Sequence, residues 1–435
     1  MSFESECVTD PASLERASRD FGGVVDRRPV AVVRPRTVEE VVRAVTFASR
    51  EGLPIAARGE GHTTRGQALV AGGVVLEMAG FDQIRVEGER LIAGAGALWS
   101  EVLRVALRMG KTPPVLTDYL GLSVGGTLSV GGVGGQSFAH GLQTCNVEAL
   151  TVVTGQGETV RCSQTEHPDL FDACRGGLGQ CALIVEAELR LVAAPRRVRA
   201  FELRYGDAAT LLSDQAIAAA SGAFDYILAS TPVDEGGRFT FKIELVSYDH
   251  GALHPDRELL RELHPVTVTA TDTTYHEHAN RLTALAPILK SGPHHPWMDL
   301  FVGGSTALEL VELAHTEFDP QQWTDGHIMT YPLFLSRCHT PILDLADEPY
   351  FLLLDLLPTA HHREQLASLE EDCLRILELA RACGARIYPI GYPVGTPRMR
   401  AADWQRQYTW DRFAHAKRTY DPRGILTPGP ALFDR

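Results

Sequence analysis

A chain of 435 residues has room for two or three domains with ample core, and its 44% hydrophobic and 22% charged residues exclude a disordered polymer. A formal net charge of −14 argues against nucleic acid or an anionic membrane surface as partner, and no apolar run reaches the roughly 18 residues of a membrane span. The N-terminus, Met1-Ser-Phe-Glu-Ser-Glu-Cys7, opens with acids rather than an apolar segment, and the cysteines form no C-x-x-C pair, so the expectation is a soluble cytoplasmic enzyme with reduced thiols.

In chain order, Pro29 to Pro35 reads as a strand and Thr37 to Arg50 as a helix, with Thr37 as N-cap and Glu40 three residues on, a capping box. Pro54-Ile-Ala-Ala57 is a second strand, completing a β–α–β unit that delivers the chain into the loop Arg58-Gly-Glu-Gly-His-Thr63. Short strands fill 73–94, after which Leu91-Ile-Ala-Gly-Ala-Gly96 passes into a helix. Trp99 stands at the last glycine of a G-x-G-x-x-G, which argues against Rossmann binding.

Residues 117–146 are crowded with Gly121, Gly125, Gly126, Gly131, Gly132, Gly134, Gly135 and Gly141, a density that suits close backbone approach to a pyrophosphate. Strands follow at 147–154, 159–162 and 183–191, with a short helix from Asp169. A composition boundary falls at Pro195 with its arginines. From 200 to 390 the pattern predicts strands near 201–205, 223–231, 238–247, 298–303 and 327–332. Helices are predicted over 207–220, 275–289, 305–316 and 361–383, giving a sheet flanked by helices. A helix from Asp403 precedes the Pro- and Gly-rich end, Tyr420-Asp-Pro-Arg-Gly-Ile-Leu-Thr-Pro-Gly-Pro430.

Two residues stand out chemically. His62, framed by glycines, is open to a planar ligand and is a competent nucleophile, although a histidine bonded to its own loop fits the residues as well. Asp118 lies among apolar residues, where burial would raise a carboxylate and poise it as a base; a turn or N-cap aspartate is the plainer reading. Gly121-Leu-Ser-Val-Gly125 matches a hydrolase elbow only by glycine density. The pairs His276/His278, His294/His295 and His361/His362 lack the spacing of a metal site, so no metal is expected.

Taken together, Arg58-Gly-Glu-Gly-His-Thr63, Thr117-Asp-Tyr-Leu-Gly-Leu-Ser-Val-Gly-Gly-Thr-Leu-Ser129, Gly176-Gly-Leu-Gly-Gln180, His295-Pro-Trp-Met-Asp-Leu-Phe-Val302 and Tyr420 to Gly429 resemble the cytokinin dehydrogenase branch of the vanillyl-alcohol oxidase (PCMH-type) flavoproteins. The resemblance implies an α+β fold: a two-subdomain FAD-binding domain from residues 1–195 and 391–435, with a substrate domain, 196–390, inserted as an antiparallel sheet flanked by helices. It implies FAD bound covalently at its 8α-methyl through His62, with further cofactor contacts at Arg58, Gly59, Glu60, Gly61, Thr63, Gln67, Thr117, Ser123, Gly125, Gly126, Ser129, Ile184 and Tyr392. Asp118 matches the catalytic aspartate that takes a proton from the substrate amine while hydride passes to flavin N5. The electron acceptor would be oxygen or a quinone, and the protein a monomer or homodimer.

Departures concern the substrate. Phe224-Asp-Tyr-Ile-Leu-Ala229 places Leu228 where the family carries a purine-contacting glutamate, Pro430 replaces a glutamine, Thr63 replaces a serine, and Tyr119 lies nearest the second, cysteine linkage of berberine-bridge relatives. The leading expectation is oxidation of a C–N bond in a cytokinin-type N6-alkyladenine. The alternatives are a secondary-metabolite oxidase acting on another amine or alcohol, and a catalytically silent flavin-binding protein.

Overall fold

The computed structural model describes residues 6–249, 255–283, 294–320, 323, 326–391 and 405–433. The helix Val38–Glu51 carries the expected capping box, Thr37 and Glu40 each satisfying the other's backbone N–H, and ends on the left-handed Gly52. Its buried Val41, Ala44, Val45 and Ala48 lie one turn apart and pack over a parallel sheet of Ala31–Val33, Val74–Glu77 and Ile55–Arg58, in that order. The two strands of the predicted β–α–β unit thus flank a third rather than each other. The C-terminal tail extends this sheet: Ile55 N donates to Ile425 O at 2.9 Å and Thr427 N to Ile55 O at 2.8 Å.

A second, antiparallel sheet runs Ile84–Glu87, Arg90–Gly94, Ala182–Leu189, Val147–Thr154, Thr159–Ser163. The helix Trp99–Arg108 follows its second strand, and Trp99 fills the core there, Nε1 donating to Thr127 Oγ1.

The eight-stranded antiparallel sheet is built from 197–387, ordered Thr267–Thr274, Arg197–Tyr205, Phe241–Tyr248, Tyr226–Pro232, His327–Phe334, Tyr350–Leu357, Met298–Gly303, Arg386–Ile387. Alternation divides its faces. Ile227, Ala229, Ile243 and Leu245 pack under the helix Ala208–Ser221, whereas Tyr226, Leu228, Glu244 and Tyr331 point the opposite way, toward the glycine-rich stretch.

Three strands of this sheet escaped the sequence reading. Arg386–Ile387 has only two residues, Thr267–Thr274 is a polar edge strand, and Tyr350–Leu357 is an apolar run broken only by Asp355, without period-two alternation. Of the predicted helix 275–289, the described part is helical over Tyr275–Ala279 and closes where Asn280 Nδ2 bonds His276 O and Arg281 Nη1 bonds His278 O; 284–293 fall outside the described residues. Over the stretch predicted as a helix from Asp403, the structure describes the helix Trp410–Tyr420; Asp403 and Trp404 lie outside the described residues. Cys145, Cys162, Cys174, Cys181, Cys338, Cys373 and Cys383 form no disulfide. Among the described residues no helix is long and apolar enough to cross a membrane.

Candidate active site

The loop after Ile55–Arg58 is held from below by Asp20, a residue the sequence did not single out. Its carboxylate accepts from Thr63 Oγ1 at 2.8 Å and Gly66 N at 2.7 Å, while Phe21 N and Gly22 N bond the carbonyls of Gly61 and Thr63. Burial raises the Asp20 carboxyl above the usual range against those donors. His62 therefore emerges from a fixed loop. Its ring lies between Phe21, stacked at 4.8 Å, and Tyr119 at 5.2 Å.

That loop forms one wall of a solvent-open cleft. Gly59, Glu60, Gly61, His62, Thr63 and Gln67 line it on one side, and Ser123, Gly125, Gly126, Ser129 and Ile184 on the other. A Cβ at Gly59 would lie 2.0 Å from Ser123 Oγ, so glycine there keeps the two walls together. Arg58 is buried behind Gly61, its Nη1 without a hydrogen-bond partner among the described residues. Thr117 is turned to its own segment, donating to Tyr119 O at 3.1 Å. Tyr392 lies outside the described residues.

The second half of the glycine-rich stretch does not line this cleft, which corrects the expectation that the whole stretch serves a pyrophosphate. Gly135 sits against the Tyr226 ring, 2.2 Å from where a Cβ would be, and its carbonyl accepts from Ile227 N at 2.9 Å. Gly132 N donates to Tyr388 Oη at 2.9 Å. These glycines let the eight-stranded sheet dock by backbone.

Asp118 stands at that junction. The expected apolar neighbourhood is absent: Tyr226 donates to Oδ1 at 2.7 Å, Tyr331 donates to Oδ2, and Arg281 Nη2 donates to Oδ1 at 3.2 Å. Burial pushes both phenols well above their ordinary value, so they remain neutral donors. Leu228 is buried on the same face, directly across the strand pair from Glu244. A carboxylate thus occupies the neighbouring strand beside the position where the glutamate is missing. Burial raises Glu244, opposed by the adjacent Arg281 and reinforced by Asp118. His278 approaches Glu244 at 3.6 Å, but burial and then Arg281 lower it to about 3, so the contact is not an ion pair.

The other histidine pairs are structural. His295 stacks on Phe21 at 4.2 Å, His294 Nδ1 bonds Gly23 O, and His362 caps the helix Arg363–Ala382. Among the described residues no group of three or more His, Cys, Asp or Glu side chains could hold a metal ion.

A family model described as "FAD binding domain" matches residues 29–163, and one described as "Cytokinin dehydrogenase 1, FAD and cytokinin binding" matches 241–433. Cytokinin dehydrogenase 10 of Oryza sativa subsp. japonica is 32% identical over 99% of this chain and 88% of its own. The chain belongs to the cytokinin dehydrogenase family of FAD-dependent oxidoreductases. Another family relative, named an uncharacterized oxidoreductase (ORF5) of the fasciation locus in Rhodococcoides fascians, is 36% identical over 97% of both chains. The solved structure of 6-hydroxy-D-nicotine oxidase from Arthrobacter nicotinovorans shares the fold, with TM-score 0.78 and 22% identity over 99% of this chain and 97% of its own. Chitooligosaccharide oxidase does so at TM-score 0.79 and 16% identity over 100% of each chain. The architecture is that of the PCMH-type oxidases.

Proposed function

We propose that this family member oxidises a C–N bond of a secondary amine, with a cytokinin-type N6-alkyladenine as leading substrate and Asp118 as the base. The observation that carries this reading is the position of Asp118. Its neighbour Tyr119 rests against His62 in the cleft, while its carboxylate meets Tyr226 and Tyr331 of the eight-stranded sheet. A donor bound between cleft and sheet would present its N–H to this carboxylate.

The glycine cradle and the guanidinium of Arg58, whose Nη1 is out of water without a partner among the described residues, fit FAD. Gly59, Gly61, Thr63, Gln67, Ser123, Gly125, Gly126, Ser129 and Ile184 would hold it, with covalent attachment through His62. Bound FAD supplies the acceptor for the hydride leaving the carbon next to nitrogen. Tyr226 and Tyr331 fix the orientation of the Asp118 carboxylate, which accepts the amine proton, and the sheet closes the seam against water. We place the domain divisions at 195/196 and 390/391 and the protein in the cytoplasm, with oxygen or a quinone reoxidising the flavin.

Leu228 favours a second reading, the same chemistry on an amine or alcohol that is not a purine, because an adenine N–H would lose an acceptor there. Reduction of the bound flavin by isopentenyladenine in an anaerobic titration is the expected result. Bleaching by other amines or alcohols but not by isopentenyladenine would select the second reading. A flavin that no donor in a broad panel reduces would leave a silent flavin-binding protein.

A further inference from the structure

Arg281 follows the short helix Tyr275–Ala279, and no local pattern in the sequence marks it. Its Nη2 reaches three acceptors: Asp118 Oδ1 at 3.2 Å, the Tyr226 hydroxyl oxygen at 2.5 Å and Glu244 Oε2 at 3.1 Å. The guanidinium carbon lies 4.9 Å from the centre of the Tyr226 ring, and Nη1 is anchored on His278 O at 3.2 Å. One nitrogen is therefore shared between two carboxylates on different elements while the other terminal nitrogen holds a backbone carbonyl, a division of contacts that the single nitrogen of an ammonium cannot make.

A carboxylate offers about four acceptor positions, two on each oxygen. Asp118 Oδ1 uses both, on Tyr226 and Arg281; Oδ2 accepts only from Tyr331 among the described residues. We propose that Arg281 is a positioning residue that saturates Oδ1 and ties the base to Glu244, leaving Oδ2 as the oxygen that receives the substrate proton. In that step the N–H bond breaks and an O–H bond forms at Oδ2; the electron pair left on nitrogen becomes the second bond of C=N as hydride leaves the adjacent carbon for the acceptor that bound FAD would supply. The inference rests on Asp118 being the base.

The pair also sets a sign. A carboxylate beside a guanidinium releases its proton more readily, and one beside a second carboxylate less readily. Removing Arg281 and removing Glu244 should therefore have opposite effects on the acid limb of the reaction. The titratable and charged groups facing them are Tyr226, Tyr331, His278, Lys242 and, beyond Tyr331, Asp355, whose neighbour Asp299 completes the set. Burial keeps the two phenols and His278 neutral, and raises Asp355 well above its ordinary value.

Stopped-flow reduction of the flavin-loaded protein, across the pH range with the best amine donor, tests this. Arg281→Met is expected to slow limiting reduction ~10–100-fold, the cost of a misplaced group, with little change in donor affinity, and to move the acid limb to higher pH. Arg281→Lys should restore only part of the rate. Glu244→Gln should move the acid limb to lower pH, and it serves where Arg281→Met fails to fold. An infrared titration of the carboxyl stretch, flavin bound and donor absent, should show a protonated carboxyl persisting to higher pH in Arg281→Met. Acid limbs and carboxyl titrations that stay at their wild-type position in both variants overturn the inference. A wild type whose flavin no donor reduces overturns the functional reading instead, and the infrared titration still decides the coupling.

Discussion

Asp118 and His62 are residues whose types suggested chemistry before any geometry was known, yet each had an equally good structural explanation. What separates the readings is their company. His62 lines a cleft and packs between two rings, and Asp118 meets two phenols and a guanidinium. Asp118→Asn keeps the shape of the site but cannot take a proton. It is expected to retain bound flavin and lose ~10²–10⁴-fold in reductive rate, measured by anaerobic stopped flow. His62→Ala removes the proposed tether. Acid precipitation should leave flavin in the pellet of the wild type and in the supernatant of the variant; flavin released equally from both would show that no bond to this histidine exists.

Among elements, the eight-stranded sheet carries a consequence in its register. Asp299 and Asp355 are directly opposed on adjacent strands, and a Cβ at Gly391 would come within 1.9 Å of Asp299 Oδ2. Burial raises Asp299 to about 7 and Asp355 well above its ordinary value. Between the unfolded value of 3.8 and about 7, the folded chain keeps a proton that the unfolded chain has released. Stability from this pair is therefore greatest at the acid end of that window and falls as pH rises through it. Asp299→Asn supplies a neutral amide donor to Asp355. Its melting temperature should depend less on pH across this window and exceed that of the wild type by a few degrees near about pH 8. A variant with an unchanged pH slope would mean that the pair titrates together in the unfolded range.

Most helices and many of the strands were readable at this scale because their signals are local. Thr37 and Glu40 lie within one turn of each other, and Asp207 caps Ala208–Ser221 through Thr210 N. Tyr350–Leu357 was not readable, because a strand buried on both faces shows no alternation. The end of the helix Tyr275–Ala279 was hidden for a related cause: it is closed by the side chains of Asn280 and Arg281, and the latter is held by groups on other elements.

Across the whole molecule, the chain's last segment returns to its first sheet, and a buried ion pair secures it. Lys417 Nζ donates to Asp421 Oδ2 at 2.7 Å and to Gln180 O at 2.8 Å, and Asp421 accepts from Leu426 N at 2.9 Å. Removing one partner strands the other charge out of water. Lys417→Met is expected to cost about 3–5 kcal/mol, read as a lower denaturation midpoint and weaker flavin retention, since Thr427 of the same tail lines the cleft. A midpoint within error of the wild type would mean that water replaces the ammonium at Asp421.

The sequence by itself determined the local pieces: the capped helix, the glycine-framed loop bearing His62, the acid at 118, and the ordered motifs that mark a flavoprotein family. These are legible because each is written in neighbouring residues. Tertiary structure alone decided how the acid is held, since its partners Tyr226, Arg281 and Tyr331 stand 108, 163 and 213 positions away. It also decided that half of the glycine-rich stretch seats a sheet rather than the cofactor cleft. No pattern of propensity or periodicity encodes such contacts, because they exist only after the sheet has docked and its alternation has aimed those side chains at one carboxylate.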